Sequence, residues 1–203
     1  MNPIKKLLLA STLLAGLSLQ ATVTPVRFYH LGEDDASASN RLVATSSADS
    51  VSTNALSFTG APKYWVEAAP ADPVSSCSIL FSTADQGSAA VVTNIDNVCL
   101  EAWASTGWRN THVIAYNGNS SLDGYGIILN QTNYLAVLGG IGTVATVPCP
   151  PGYWMHLALV CQNGTVAFYT NGILAAITNA TPNPPTGNLT VGGPNTVAPF
   201  VDA

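Results

Sequence analysis

The sequence predicts an all-β fold: two antiparallel sheets packed face to face in a jelly-roll β-sandwich. Three observations carry this. The stretch "GYWMHLALVCQNGTVAFYTNGILAAIT", Gly152 to Thr178, holds two Asn-Gly pairs eight residues apart, with apolar runs on both sides. Ten further short apolar segments recur along the chain, punctuated by Gly, Pro and Asn clusters. After the N-terminal leader no segment keeps a helical apolar period for 12 residues. Many short strands with such punctuation read as a sandwich or barrel. More than ten of them favour a jelly roll over a seven-stranded immunoglobulin-type domain.

The first element in chain order is the leader, "MNPIKKLLLASTLLAGLSLQA". Lys5 and Lys6 precede a 13-residue apolar run, Leu7 to Leu19, and then a small residue, Ala21. That order is a secretory signal peptide, and the run falls short of the roughly 20 residues that span a bilayer. The expected organisation is a signal peptide over 1–21 and one domain over 22–203, exported and soluble. Strand candidates follow at "VRFYHL" (26–31), "ALSFTG" (55–60), "CSILFS" (77–82), "AAVVT" (89–93) and "VCLEAWAS" (98–105). They continue at "HVIAYN" (112–117), "YGIILN" (125–130), "NYLAVLG" (133–139), "VATV" (144–147) and "NLTVGG" (188–193).

The Gly152–Thr178 stretch is a three-stranded meander. Two-residue Asn-Gly loops favour the type I′ turn, because both residues tolerate positive φ and the turn matches the strand twist. With Asn163-Gly164 at the first turn, Leu159 faces Phe168 and Ala158 faces Tyr169. With Asn171-Gly172 at the second, Phe168 faces Ala175 and Tyr169 faces Leu174. One face then collects Leu157, Leu159, Val166, Phe168 and Ile177. The other collects Trp154, Ala158, Val160, Ala167, Tyr169 and Leu174. Both are apolar, so the sheet is expected to be covered on at least part of both sides, with a second layer to bury it.

Composition sets the class. The chain is 47% hydrophobic and 8% charged, against about 25% charged in an average soluble domain. Beyond the leader only Arg27, Arg41, Lys63 and Arg109 face eleven acids, a net charge of −7. No basic cluster exists, which excludes nucleic acid and anionic membrane surfaces as partners. The four cysteines, Cys77, Cys99, Cys149 and Cys161, allow three pairings in an exported chain. Sequence neighbours suggest Cys77–Cys99 and Cys149–Cys161. The second pair is disfavoured, because a strand from Trp154 to Cys161 sets its ends roughly 23 Å apart. Buried free thiols remain equally open. No CxxC or Cys/His cluster indicates zinc.

Three pieces carry a resemblance: "FYHLGEDD" (28–35), "NVCLEAWAS" (97–105) and above all "GYWMHLALVCQNGTVAFYTNG" (152–172). The last is similar to the Trp-x-His-Leu-Ala strand, turn and Phe-Tyr-x-Asn-Gly hairpin of laminin G-like domains, in the concanavalin A-like lectin/glucanase superfamily. The resemblance spans roughly residues 26–203, nearly the whole chain beyond the leader, and implies a two-sheet jelly roll of the kind often used to bind glycans or proteins. Such domains usually close with a Gly-x-Ile-Asp-Glu-Val strand beside the first one. "APFVDA" stops at Ala203 about where that strand begins, so the last strand is expected to be missing and an edge left unpaired. The resemblance also implies calcium at a rim. Glu33, Asp49 and Asp202 lie in segments resembling those that meet there, and such hard oxygen ligands suit the ion. The other reading of "GEDD" is a solvated acidic turn.

Catalytic signals are sparse. Glycoside hydrolysis needs two carboxylates flanking the bond. The superfamily's glucanases carry a Glu-x-Asp-x-x-Glu strand that has no match here. Glu101 is alone on its strand, Glu67 is alone near Asp72, and the consecutive acids of "GEDD" diverge. No Gly-x-Ser-x-Gly elbow occurs, and His156, between Trp154 and Ala158, reads as structural. Trp103 and Trp154 read as core. Trp108 differs, because "STGWRNT" is polar and loop-like. With Tyr125 and Tyr134 flanking the "NQTN" turn it offers a stacking platform for a sugar ring, and Arg109 and Asp123 supply hydrogen bonds. The alternative is that these aromatics cover a sheet edge. Five Asn-x-Ser/Thr sequons begin at Asn119, Asn130, Asn163, Asn179 and Asn188, which turn composition alone explains equally well.

The expected function is a secreted, non-enzymatic module. It binds a neutral polysaccharide or an extracellular glycoprotein, with calcium as the implied ion. A structural or adhesive surface piece without a small ligand, and a degenerate glycoside hydrolase, are the rivals.

Overall fold

The computed structural model describes residues 24–32, 35, 38–67, 69, 76–82, 84–106 and 111–193. The signal peptide and the missing closing strand expected from the sequence fall outside them. Within them the chain forms β1 (Ser46–Ser47), β2 (Leu56–Thr59), β3 (Lys63–Trp65), β4 (Ser78–Leu80), β5 (Gln86–Ala89), β6 (Val98–Ala104) and β7 (Thr111–Asn117). Then come β8 (Tyr125–Asn130), β9 (Asn133–Leu138), β10 (Gly142–Pro148), β11 (Met155–Gln162), β12 (Thr165–Thr170), β13 (Ile173–Asn179) and β14 (Leu189–Gly192). No helix occurs among the described residues.

Both Asn-Gly turns form as expected. Asn163 and Gly164 have φ of 51° and 72°, and Asn171 and Gly172 have 50° and 77°. The first hairpin pairs Leu159 with Phe168 and Ala158 with Tyr169. In the second, Tyr169 faces Leu174, but Phe168 faces Ala176 and the register shifts there. The bulge leaves Ala175 unpaired and reverses the alternation beyond it, as one extra residue must in a period of two. Ile177 therefore stands on the opposite face from Phe168, 62% exposed.

Gly172 tests the turn by itself. A Cβ there meets nothing within 4 Å, so any cost comes from the backbone alone. Gly172→Val is expected to lower stability by about 1 kcal/mol or more, since β-branched residues resist positive φ. Gly172→Asn is expected to be tolerated. Urea denaturation of the two variants against wild type checks this.

The strands make two facing layers. Eight lie in the order β1-β2-β5-β14-β7-β8-β9-β10 and four in the order β13-β12-β11-β6, with a separate β3-β4 pair. The described partners within each sheet are antiparallel. The main core lies between the layers. Leu157, Leu159, Val166 and Phe168 of the smaller sheet meet Tyr125, Ile127, Tyr134 and Leu138 of the larger. A second cluster of Val113, Tyr116, Ile128, Leu135 and Val137 is buried apart from it. Ile128 alternates with Ile127, so this cluster lies on the other face of the eight-stranded sheet. The face expected to be covered is a different one. The outer side of β11–β13 is open at Leu174 and Ile177.

Other expectations shift in detail. "VRFYHL" forms only a bridge, Tyr29 to Asp49. The strand expected at 89–93 runs instead over Gln86–Ala89. "QGSA" has weak strand preference. Gly87 lies against the Phe58 ring, 2.7 Å from the position a Cβ would take, so close packing selects the segment. Cys99, Cys149 and Cys161 are free thiols. Cys77 precedes β4, and Cys99 belongs to the four-stranded sheet. Cys161 is adjacent to Cys99 in the ladder but out of step, opposite Val98 rather than Cys99. It points into the core while Cys99 is exposed.

Candidate functional site

The outer face of the four-stranded sheet follows from its registers. Trp103 lies opposite His156, Glu101 opposite Ala158, and Cys99 opposite Val160. Ala158 is opposite Tyr169 and Val160 opposite Ala167, while Tyr169 meets Leu174 and Ala167 meets Ile177. These rungs share one side of the sheet, and the even-numbered residues Val98, Leu100, Ala102 and Ala104 point the other way. The signal was present in "VCLEAWA". Glu101 cannot face the core unpaired, so Trp103, two residues on, shares its outward face. The reading of Trp103 as core is corrected: it is 39% exposed.

Trp103, His156 and Glu101 form a cluster at one end of this face. The Trp103 and His156 rings lie 5.2 Å apart at 45°. His156 Nε2 is 3.1 Å from Glu101 Oε2. The His156 backbone N–H donates to Asn171 Oδ1 at 3.0 Å, and the Asn171 N–H donates to the His156 carbonyl at 2.8 Å. The Asn171-Gly172 turn is thus pinned beside the cluster. Cys99 donates to Glu101 Oε1 at 3.2 Å. His156 is not a core histidine: its side chain is a quarter exposed, with a carboxylate on one side and an indole on the other. The cluster can stack a flat apolar face on Trp103 and exchange hydrogen bonds through an imidazole and a carboxylate.

The residues expected to bind ligand go elsewhere. Trp108 and Arg109 lie outside the described residues. Tyr125 and Tyr134 are 2% and 0% exposed and belong to the main core. They flank a turn in sequence, but β8 and β9 sit inside the larger sheet with their odd and even positions, respectively, turned inward. The Tyr125 hydroxyl donates to the Asn94 carbonyl at 3.0 Å. Burial, with a smaller contribution from the Cys161 thiol, pushes its phenol up to about 12. The Tyr134 hydroxyl lies near Cys149 without a well-formed hydrogen bond. Neither tyrosine can stack a sugar. Asp123 is also corrected. It is 8% exposed, and its carboxylate accepts from the Asn119 N–H (3.0 Å), the Thr186 N–H (3.1 Å) and the Thr186 hydroxyl (2.5 Å). It is a clamp between loops.

Of the expected calcium ligands, Glu33 and Asp202 lie outside the described residues. The Asp49 side chain is fully buried beside Arg27, at 3.7 Å. Its carboxylate accepts from the Phe28 and Val51 N–H groups and from the Ser52 hydroxyl. Those partners leave no oxygen open, so Asp49 does not fit a rim site. Among the described residues no three His, Cys, Asp or Glu side chains converge on a position for a metal ion.

Two packed antiparallel layers, the Trp-x-His strand and the Asn-Gly hairpins define the class. The family model described as the concanavalin A-like lectin/glucanases superfamily, of laminin G type, matches residues 82–202. The chain belongs to that superfamily. Among solved structures it resembles domain 4 of AbnA, an extracellular GH43 arabinanase from Geobacillus stearothermophilus, solved in complex with arabinotriose. The TM-score is 0.46 and the identity 14%, over 76% of this chain and 91% of that one. No curated protein sequence matches the chain.

Proposed function

We propose that the protein is an exported, non-catalytic module that binds a neutral polysaccharide on the outer face of its four-stranded sheet. The observation that carries this is the Trp103–His156–Glu101 cluster, an exposed indole with a hydrogen-bonding imidazole and carboxylate within reach. Sugar rings stack their C–H faces on indoles, and their hydroxyls both donate and accept. Membership in a superfamily of lectins and glucanases supports the class. Trp108 and Arg109 follow β6 within five residues of Ala104 and extend the same reading. Glu101 faces Ala158 across the ladder rather than a second acid, which supports binding without hydrolysis.

Such a shallow, wet site is expected to bind with a dissociation constant on the order of 0.1–1 mM, about −4 to −5.5 kcal/mol. Trp103→Ala is expected to weaken binding at least about tenfold, as for a central aromatic anchor. Its melting temperature should stay close to wild type, because the indole is not core. Pull-down on insoluble glucan, galactan and xylan, with wild type and this variant, tests the reading. Retention of neither protein, or of both alike, rejects it.

A further inference from the structure

A second surface concentrates positive charge on this acidic chain. Val43 pairs with Lys63, Lys63 with Leu80 and Trp65 with Ser78. Alternate residues of paired strands share a face, so these five side chains stand together, opposite the buried Tyr64. Val43 and Leu80 are about half exposed, and Lys63 is exposed. Arg41 joins them, its guanidinium 5.4 Å from the centroid of the Trp65 ring.

Arg41 is held there by unusual backbone. Its N–H donates to the Tyr64 carbonyl at 2.8 Å, and the Tyr64 N–H donates to the Leu42 carbonyl at 3.0 Å. Two residues therefore oppose one, and Arg41, with φ of 65°, takes the left-handed bulge position that glycine usually fills. Residues kept in such conformations cluster at functional sites. Among the described residues neither Arg41 nor Lys63 forms an ion pair. Asp85 feels the Lys63 charge, but its carboxylate is engaged by the Ala61 N–H and by Ser82. Glu67, just past β3, pairs with neither cation.

We propose that this face is a second saccharide site, specific for an acidic sugar, in which a hexuronate carboxylate bridges Arg41 and Lys63. An arginine stacked on an indole is pre-oriented and keeps its fork free for bidentate pairing with a carboxylate. Lys63 adds a point charge on the same face as Trp65. The site lies on a different sheet from Trp103 and does not depend on it. The net charge of −5 at pH 7 repels polyanions at long range, so binding rests on direct contact and weakens with salt.

The test is affinity electrophoresis and pull-down on polygalacturonate, with its methyl ester and poly-glutamate as controls. Wild type is expected to be retained on polygalacturonate at low salt and released as salt rises, with weaker, salt-independent retention on the methyl ester and none on poly-glutamate. Arg41→Gln and Lys63→Gln are each expected to weaken retention about tenfold, the scale of one charge-assisted contact. Arg41→Lys should restore only part of it, and Trp103→Ala should leave it unchanged. Lys63 is exposed, so Lys63→Gln remains informative if the Arg41 variants unfold. Failure of wild type to bind, equal retention on the ester or on poly-glutamate, or full retention of Lys63→Gln overturns the proposal.

Discussion

Asp123→Ala is expected to lower the stability of the fold by about 2–4 kcal/mol, because it strands buried donors that a charged acceptor now satisfies. The carboxylate holds the loop after β7 to the segment leading into β14, through Asn119 on one side and Thr186 on the other. The Tyr116 hydroxyl donates to the Asp123 carbonyl at 3.1 Å, so the clamp also touches the second cluster. At about 2–4 °C per kcal/mol for a domain of this size, the melting temperature should fall by roughly 5–15 °C. A variant melting with wild type would show that the clamp is dispensable.

The same carboxylate sets an acid limit. Burial opposes ionisation of Asp123, but hydrogen bonds from the Thr186 hydroxyl and the Asn119 and Thr186 N–H groups outweigh it and hold its carboxyl below the usual range. Burial is likewise outweighed at Asp49, by Ser52 and the Phe28 and Val51 N–H groups, and at Asp85, by Ala61 and Ser82. A lowered folded value means that the stabilisation is complete above the unfolded carboxyl value of about 3.9 and is lost as pH falls through the folded value. Melting temperature should therefore hold from pH 7 to about 5 and fall below about 4. Asp123→Asn should show a shallower fall. Equal slopes would assign the acid sensitivity to other groups.

The second large effect is expected at Phe168. The ring is 1% exposed in the main core, on β12, where it faces Leu159 on one side and Ala176 on the other. Phe168→Ala removes its transfer free energy and leaves a cavity between the sheets, at a cost of about 3–5 kcal/mol. That is a large part of a typical domain stability of about 5–15 kcal/mol. The urea midpoint should drop with little change in slope. A change below about 1 kcal/mol would mean that the sheets close over the gap.

Local features of the chain were readable wherever the physics is local. Asn-Gly pairs prefer one turn, that turn sets the register next to it, and both hairpins follow. Alternation assigned Leu157, Leu159, Val166 and Phe168 to one face, and burial of that face is the core. The all-β class came from the same short-range patterns. Tertiary structure decided which faces stay covered and which residues meet. Tyr125 and Tyr134 flank a polar turn, yet both are core, because β8 and β9 lie inside an eight-stranded sheet under a second layer. Ile177 left the core through a bulge that no nearby residue announces. Trp103 became surface, and only the outward Glu101 hinted at it. Arg41 and Lys63, 22 residues apart, share a platform through a bulged pairing. A side-chain period of two fixes relative faces within a strand. Which face meets water depends on the other sheet, and sequence-local patterns carry no record of that contact.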